Sequence, residues 1–189
     1  MRKDFGAQTW LFPMPVLIIG TYSEDGTPNA MNAAWGGIHD HDQIAVCIDP
    51  PHKTAENLQK KGFFTVSIGT AEKVVECDYV GIVSGNEDLN KTEKAGLHAA
   101  RGAFADAPVF EEFPLCLECK LVSFDPKTGC TVGQILNISA DERILDASGR
   151  ITLDKFRFLI YDPVNHDYRT VGPVTGKAFE DGKKIQERL

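Results

Sequence analysis

Residues 24–37 read EDGTPNAMNAAWGG. Asp25-Gly26 is a hairpin-turn dipeptide, because Gly26 adopts positive φ without a Cβ penalty. A chain leaving such a turn heads into a strand, yet residues 29–37 contain no β-branched side chain. Small residues keep this strand's surface low, and Asn29 and Asn32 put amides where a core strand carries Val or Ile. The pattern predicts that something approaches this backbone closely.

Working outward, residues 16–22 (VLIIGTY) are a short, nearly continuous apolar run that predicts a buried strand. Residues 43–49 (QIAVCID) predict another, closed by Pro50-Pro51. Lys53–Lys61 reads as a short helix starting near Thr54 and stopped by Gly62. Phe63–Ile68 is the next strand, and residues 71–83 read as helix on the spacing of Val74, Val75, Tyr79 and Ile82. Ser84-Gly85-Asn86 breaks the pattern before a weak helix over 89–97. Leu115–Phe124 and residues 130–141 alternate as long strands joined by the turn-rich Asp125-Pro126-Lys127-Thr128-Gly129. Residues 176–189 are a charged helix or a frayed end. Many strands, a few short helices and no regular βαβ alternation predict a mainly β fold, a β-barrel with peripheral helices, in a single domain over 1–189.

The formal charge of −7, with scattered basic residues, argues against nucleic acid or an anionic membrane as main partner. It leaves room for a small anion, which needs only local donors. No apolar segment approaches the roughly 18 residues needed to span a bilayer. Pro13 and Pro15 interrupt the first apolar stretch without a small-residue cleavage site, so the expectation is a cytoplasmic protein.

The five cysteines are Cys47, Cys77, Cys116, Cys119 and Cys130. Cys116-Leu117-Glu118-Cys119 has the form of a redox dithiol or half a zinc site. Its flanks alternate with period two, however, so residues i and i+3 face opposite ways about 10 Å apart. A disulfide needs Cα atoms within about 7 Å, and the reading is reduced, buried or half-buried thiols on a strand.

Pro50-Pro51-His52-Lys53-Thr54-Ala55-Glu56-Asn57 delivers the chain to a helix N-terminus. Free N–H groups and the helix dipole favour an anion there; Lys53 adds a charge and Thr54 a hydroxyl. The plainer reading makes Thr54 an N-cap with Asn57 in the first turn. Ser84-Gly85-Asn86, followed by Lys91, is either a second donor-rich loop or a simple connection. His39-Asp40-His41-Asp42 reads as a solvated loop, with a metal box through His39 and His41 as the alternative. His98 and His166 stand alone, without a dyad partner in the sequence.

As an ordered set these pieces resemble the FMN-binding split-barrel proteins of the flavin reductase-like group, and within it the flavoredoxin type. The resemblance rests on Asn29-Ala30-Met31 with Trp35, His52-Lys53-Thr54 with Asn57, Ser84-Gly85 with Lys91, and Val132-Gly133-Gln134-Ile135. Tyr168-Arg169-Thr170-Val171-Gly172 and Gly176-Lys177-Ala178-Phe179 resemble the flavoredoxin-type C-terminal end. It implies a homodimer holding one FMN per subunit between barrel and subunit boundary. Asn29, Ala30, Met31 and Asn32 would run beside the flavin, Asn32 standing where the group often has Thr. Trp35 would flank the ring or pack in the core. The phosphate would fall to Lys53 and Thr54, with Asn57, Ser84, Gly85 and Lys91 nearby; His52 stands where relatives often have Arg. The resemblance further implies an FMN oxidoreductase supplied by NAD(P)H, or an electron carrier reduced by a redox protein. It implies no catalytic acid or base and no metal, and a metal-binding or structural barrel is the third reading.

Overall fold

The computed structural model describes residues 1–186. Strands β1 (Met14–Pro15) and β2 (Leu17–Tyr22) open the chain. The turn at Asp25-Gly26 forms as its sequence demands: Gly26 has φ +87° and donates to the Ser23 carbonyl at 3.0 Å, while Asp25 Oδ1 accepts from the Thr27 N–H at 2.9 Å. It joins β2 to β3 (Pro28–Ala33) in an antiparallel hairpin, Tyr22 opposite Pro28.

The low-profile segment is therefore two strands. β3 ends at Ala33, Ala34 and Trp35 form a link, and β4 (Gly36–Asp40) begins a new direction. β3 pairs with β2, whereas β4 pairs with β5 (Gln43–Cys47). After helix α1 (Lys53–Lys61), strand β6 (Phe63–Ile68) follows. Strands β9 (Leu115–Phe124) and β10 (Cys130–Ala140) complete an antiparallel sheet ordered β3-β2-β6-β9-β10-β5-β4. Consecutive strands thus lie at its two opposite edges, joined only by Ala34 and Trp35. So short a link brings the edges together only if the sheet curls, and the Trp35 carbonyl accepts from the Cys47 N–H at 2.8 Å across that corner. The result is a barrel split along the β3/β4 seam.

Why β2 is apolar on consecutive residues is now plain, since both its faces are covered. Leu17 and Ile19 point into the barrel with Val46, Phe64, Val66 and Cys119. Val16 and Ile18 face outward into a second core with Cys77, Val80, Phe110 and Leu159. That outer layer comes from helix α2 (Val74–Ile82), entered through a 3-10 turn at Ala71–Lys73, and from the short strands β7 (Ala99–Arg101) and β8 (Pro108–Phe110). β11 (Leu159–Asp162) pairs with β1 on one side and β12 (Asp167–Thr170) on the other in a small separate sheet. Phe64 is fully enclosed; burying such a side chain contributes about 1.5–3 kcal/mol.

α1 matches its expected limits, with Gly62 in the left-handed region at φ +71° donating to the Leu58 carbonyl. The helix expected over 89–97 contracts to α3 (Lys91–Lys94), because Gly96 takes positive φ and ends it. His39 and Asp40 are not loop but the end of β4, and only His41-Asp42 turn; both histidines are exposed. α4 (Lys183–Gln186) realises part of the expected C-terminal helix, and residues 187–189 of that expectation lie outside the described residues. Cys116 and Cys119 sit buried on β9, opposite Ser67 and Phe64 of β6, as free thiols. No helix among the described residues is long and apolar enough to cross a membrane.

Candidate functional site

A groove runs along the seam in three connected hollows. The innermost, about 150 Å³, is lined by Asn29 and Met31 of β3, by His52, Lys53 and Thr54 at the start of α1, and by Ser84, Gly85 and Lys91. A middle hollow of about 410 Å³ shares Met31 and His52 with it and adds Asn32, Trp35 and Cys47. An outer hollow of about 320 Å³ shares Asn32, Ala34 and Trp35 and reaches Asp78, Tyr161, His166 and Tyr168.

The inner hollow is held together by hydrogen bonds that run partly beneath it. Asn57 was expected in the site, but its buried amide donates to Thr21 Oγ1 at 3.1 Å, beneath the groove. Thr21 Oγ1 also receives Asn29 Nδ2 at 3.4 Å, and the same amide donates to Thr54 Oγ1 at 2.9 Å. Asn57 thus fixes Thr21, and β2, β3 and the first turn of α1 are locked together. Ala30 is wholly buried against the outer core, so within this segment it brings backbone rather than side chain toward the groove. Opposite, Asn86 Nδ2 donates to the Pro51 carbonyl at 2.9 Å and staples the Ser84–Asn86 loop to the proline entry of α1. Gly85 is needed at that contact, because an added Cβ would strike Asn29 Oδ1 and come within 3.0 Å of Lys53 Cβ.

Electrostatically the hollow departs from the acidic chain around it. His52 caps α1 with extended backbone and no side-chain cap hydrogen bond; Ala55 and Glu56 donate to its carbonyl, which leaves the N–H groups of Lys53 and Thr54 for a ligand. Lys53 Nζ stands beside it, held by Glu56 Oε2 at 3.0 Å. Lys91 is only 3% exposed; its Nζ donates to the Val80 and Val83 carbonyls at 3.1 and 2.8 Å, at the end of α2. Burial pushes its pKa down to about 8, against a partial counterpull from Asp88. Asn29 Oδ1 is buried without a partner in the described structure, the kind of acceptor that a bound donor would satisfy.

Further out, Trp35 is 48% exposed at the groove wall, so of the two roles considered for it, core packing does not apply. Asn32 Nδ2 donates to the Cys77 carbonyl at 3.1 Å and to Tyr168 Oη at 3.2 Å, tying β3 to α2 and β12. Tyr168 Oη in turn donates to Asp78 Oδ1 at 2.9 Å; burial first, then that carboxylate, raises the phenol's pKa. Tyr161 Oη lies 2.6 Å from His166 Nδ1, so the sequence reading of His166 as isolated is corrected. So is that of His98, whose Nδ1 lies 2.6 Å from Glu112 Oε1. Tyr161, Tyr168 and His166 were missed as site residues. Their signal was the motif Tyr161-Asp-Pro-Val-Asn-His-Asp-Tyr168, a turn that sets the two tyrosines opposite each other across β11 and β12. Among the described residues, no group of three or more His, Cys, Asp and Glu side chains gathers around a point where a metal would sit.

The sequence profile described as the flavin reductase like domain matches residues 9–163. The chain belongs to the flavin reductase-like family. Flavoredoxin of Desulfovibrio vulgaris (Miyazaki F) superposes with a TM-score of 0.91 at 36% identity, over 96% of this chain and all of that one (100%). Flavoredoxin from Methanosarcina acetivorans gives 0.89 at 26% identity, over 98% and 99% of the two chains. An uncharacterized protein of Aquifex aeolicus (strain VF5) is 26% identical over 157 residues, 77% of this chain and 78% of its own. The curled seven-stranded sheet is therefore the split barrel of the flavin reductase-like fold, and its likeness is strongest to the flavoredoxin type among these matches.

Proposed function

We propose that this family member binds FMN along the seam groove and works as an oxidoreductase through it, as one domain over 1–189, in a homodimer, in the cytoplasm. What carries the reading is the inner hollow, where three segments far apart in sequence converge as an anion cradle: Asn29, the Lys53-Thr54 helix start, and Ser84-Gly85 with Lys91. A single phosphate suits its size and charge. The residues present fit the group, since the unpartnered Asn29 Oδ1 waits for a hydroxyl or N–H donor beside the phosphate position. Met31, Asn32 and Trp35 offer a broad, low wall for a flat ring next to it. When bound, FMN supplies reversible uptake of two electrons, as hydride or in single steps. The chain's part is to hold the phosphate, orient the ring against Trp35 and keep one flank covered. No side chain of the groove needs to act as acid or base.

Electrons arrive from NAD(P)H or from a redox protein. The outer hollow supports the second source: among the described residues Asp78 lines it and neither Lys nor Arg does, whereas a nicotinamide dinucleotide brings phosphates that need cations. Apo-protein titrated with FMN and with riboflavin tests the cradle. FMN is expected to bind at least tenfold more tightly, and Lys53→Ala to remove about 1.5–3 kcal/mol of that advantage. Equal affinity for the two flavins in the wild-type chain overturns the assignment. Bleaching by a reduced redox protein with NADH and NADPH inert identifies the carrier; direct bleaching by either nucleotide identifies the reductase.

A further inference from the structure

Cys47 ends β5 and Cys130 begins β10, and the two are directly opposite in the antiparallel register. The ladder shows which kind of opposition this is. The Ile48 N–H donates to the Gly129 carbonyl at 2.8 Å, while the Cys47 N–H turns the other way, to Trp35 of the β4 side. Bonds that flank a residue pair rather than join it mark a non-hydrogen-bonded pair, in which Cα atoms stand about 4.5 Å apart and side chains share one face at their closest. That separation is within the roughly 4.4–6.8 Å range a disulfide accepts.

Exposure separates this pair from the other cysteines. Cys47 is exposed and Cys130 half-buried, both as free thiols, whereas Cys77, Cys116 and Cys119 are buried. Cys47 also lines the middle hollow, beside Trp35 and Asp49, so a small molecule in the groove reaches its sulfur. Partial burial, the neighbouring Cys130 and the Asp49 carboxylate all raise the Cys47 pKa. Cys47 therefore rests as a thiol rather than as a standing thiolate, and exchange proceeds through its small ionised fraction.

We propose that Cys47 and Cys130 are a redox-active cross-strand dithiol, oxidised to a disulfide by small aliphatic disulfides that enter the groove. The Cys47 thiolate attacks one sulfur of R–S–S–R, forming a mixed disulfide and expelling RS⁻. The Cys130 thiolate then attacks Cys47 Sγ, closing the intramolecular bond and expelling the second RS⁻. The chain gives up two electrons and two protons, and the oxidant leaves as two RSH. Excess dithiol reverses both steps. The pairing does not depend on FMN being the ligand of the groove.

The full chain, incubated with 2-hydroxyethyl disulfide at mildly alkaline pH and then alkylated, tests this by peptide mapping without reductant. The expected result is a Cys47–Cys130 linked peptide, with Cys77, Cys116 and Cys119 alkylated as thiols and the link lost on adding dithiothreitol. In Cys130→Ser the reaction is expected to stop at a single hydroxyethylthio adduct on Cys47. Separate adducts on Cys47 and Cys130 without a link overturn the proposal. So does a bond that involves any of the buried cysteines, or a Cys47 that remains a thiol in the wild-type chain.

Discussion

Replacing Lys91 by Met isolates the electrostatic strain stored at the groove. In the folded chain this ammonium loses its proton near pH 8; an unfolded lysine keeps it to the ordinary 10.5. Between those values the unfolded state binds more protons, so the lysine's contribution to stability climbs as pH rises from 8 to 10.5. Below 8 both states are protonated and the folded one bears the full penalty. The difference in pKa corresponds to about 3 kcal/mol, and water in the open groove screens it to about 2 kcal/mol. Other buried groups work in the opposite direction. Burial raises the thiols of Cys77, Cys116 and Cys119 to about 12, 11 and 12 from 9.0, so the folded state keeps protons that the unfolded state has shed. Their share of stability is lost as pH rises above 9. Wild type alone therefore mixes two slopes, and Lys91→Met, which leaves the thiols untouched, is the reference. Urea unfolding of both apo-proteins from pH 7 to 10.5 should show the wild type gaining about 2 kcal/mol relative to the variant. Inorganic phosphate or FMN, by placing an anion beside Nζ, should shrink that gain. Parallel curves without ligand would refute the reasoning.

Gly85→Val should lower FMN affinity more than tenfold in a folded protein, because the added Cβ displaces Asn29 Oδ1 and the Lys53 stem; fluorescence titration with circular dichroism as the fold control decides this. Gly133→Ala drives a methyl into the ring of buried Phe64 and should cost about 1–3 kcal/mol in thermal unfolding; an unchanged midpoint contradicts the packing described. Glu118 Oε2 accepts from the Phe104 and Ala105 N–H groups at 2.8 and 2.9 Å. Glu118→Ala should therefore cost about 1.5–3 kcal/mol and speed proteolysis between β7 and β8, while equal cleavage rates count against that clamp.

How far the sequence could be read follows from what each segment packs against. β2, α1, β6, β9 and β10 carry their own signals, because each has a continuous or periodic apolar face and a glycine or proline close to at least one end. β4 does not: it is an edge strand whose Gly37, Ile38, His39 and Asp40 all face solvent, so no alternation is imposed on it. β7 and β8 are three residues each, too short to show a period. In the groove, Lys53, Thr54, Ser84, Gly85 and Lys91 are legible through backbone chemistry and the order in which the motifs follow one another. For Asn57 and Ala30 the sequence indicates the neighbourhood but not which way the side chain turns, since rotation about a helix or strand is set by packing partners that sequence spacing leaves unspecified. The pairing of Cys47 with Cys130 was out of reach altogether, because register between strands so distant along the chain is a property of the assembled sheet.

The seam between β3 and β4 also dictates an order of events during synthesis. β4 and β5 leave the ribosome early, but β5 finds its other neighbour only in β10, which begins at Cys130. Until that strand emerges, Ile44 and Val46 lack the interior they are buried in, and the wall bearing Trp35 has nothing to lean on. Such distant pairings form slowly and leave apolar surface uncovered in the meantime. The groove therefore takes its final form on the β4 side only after β10 has been made, and whatever leans on Trp35 meets a finished wall only then.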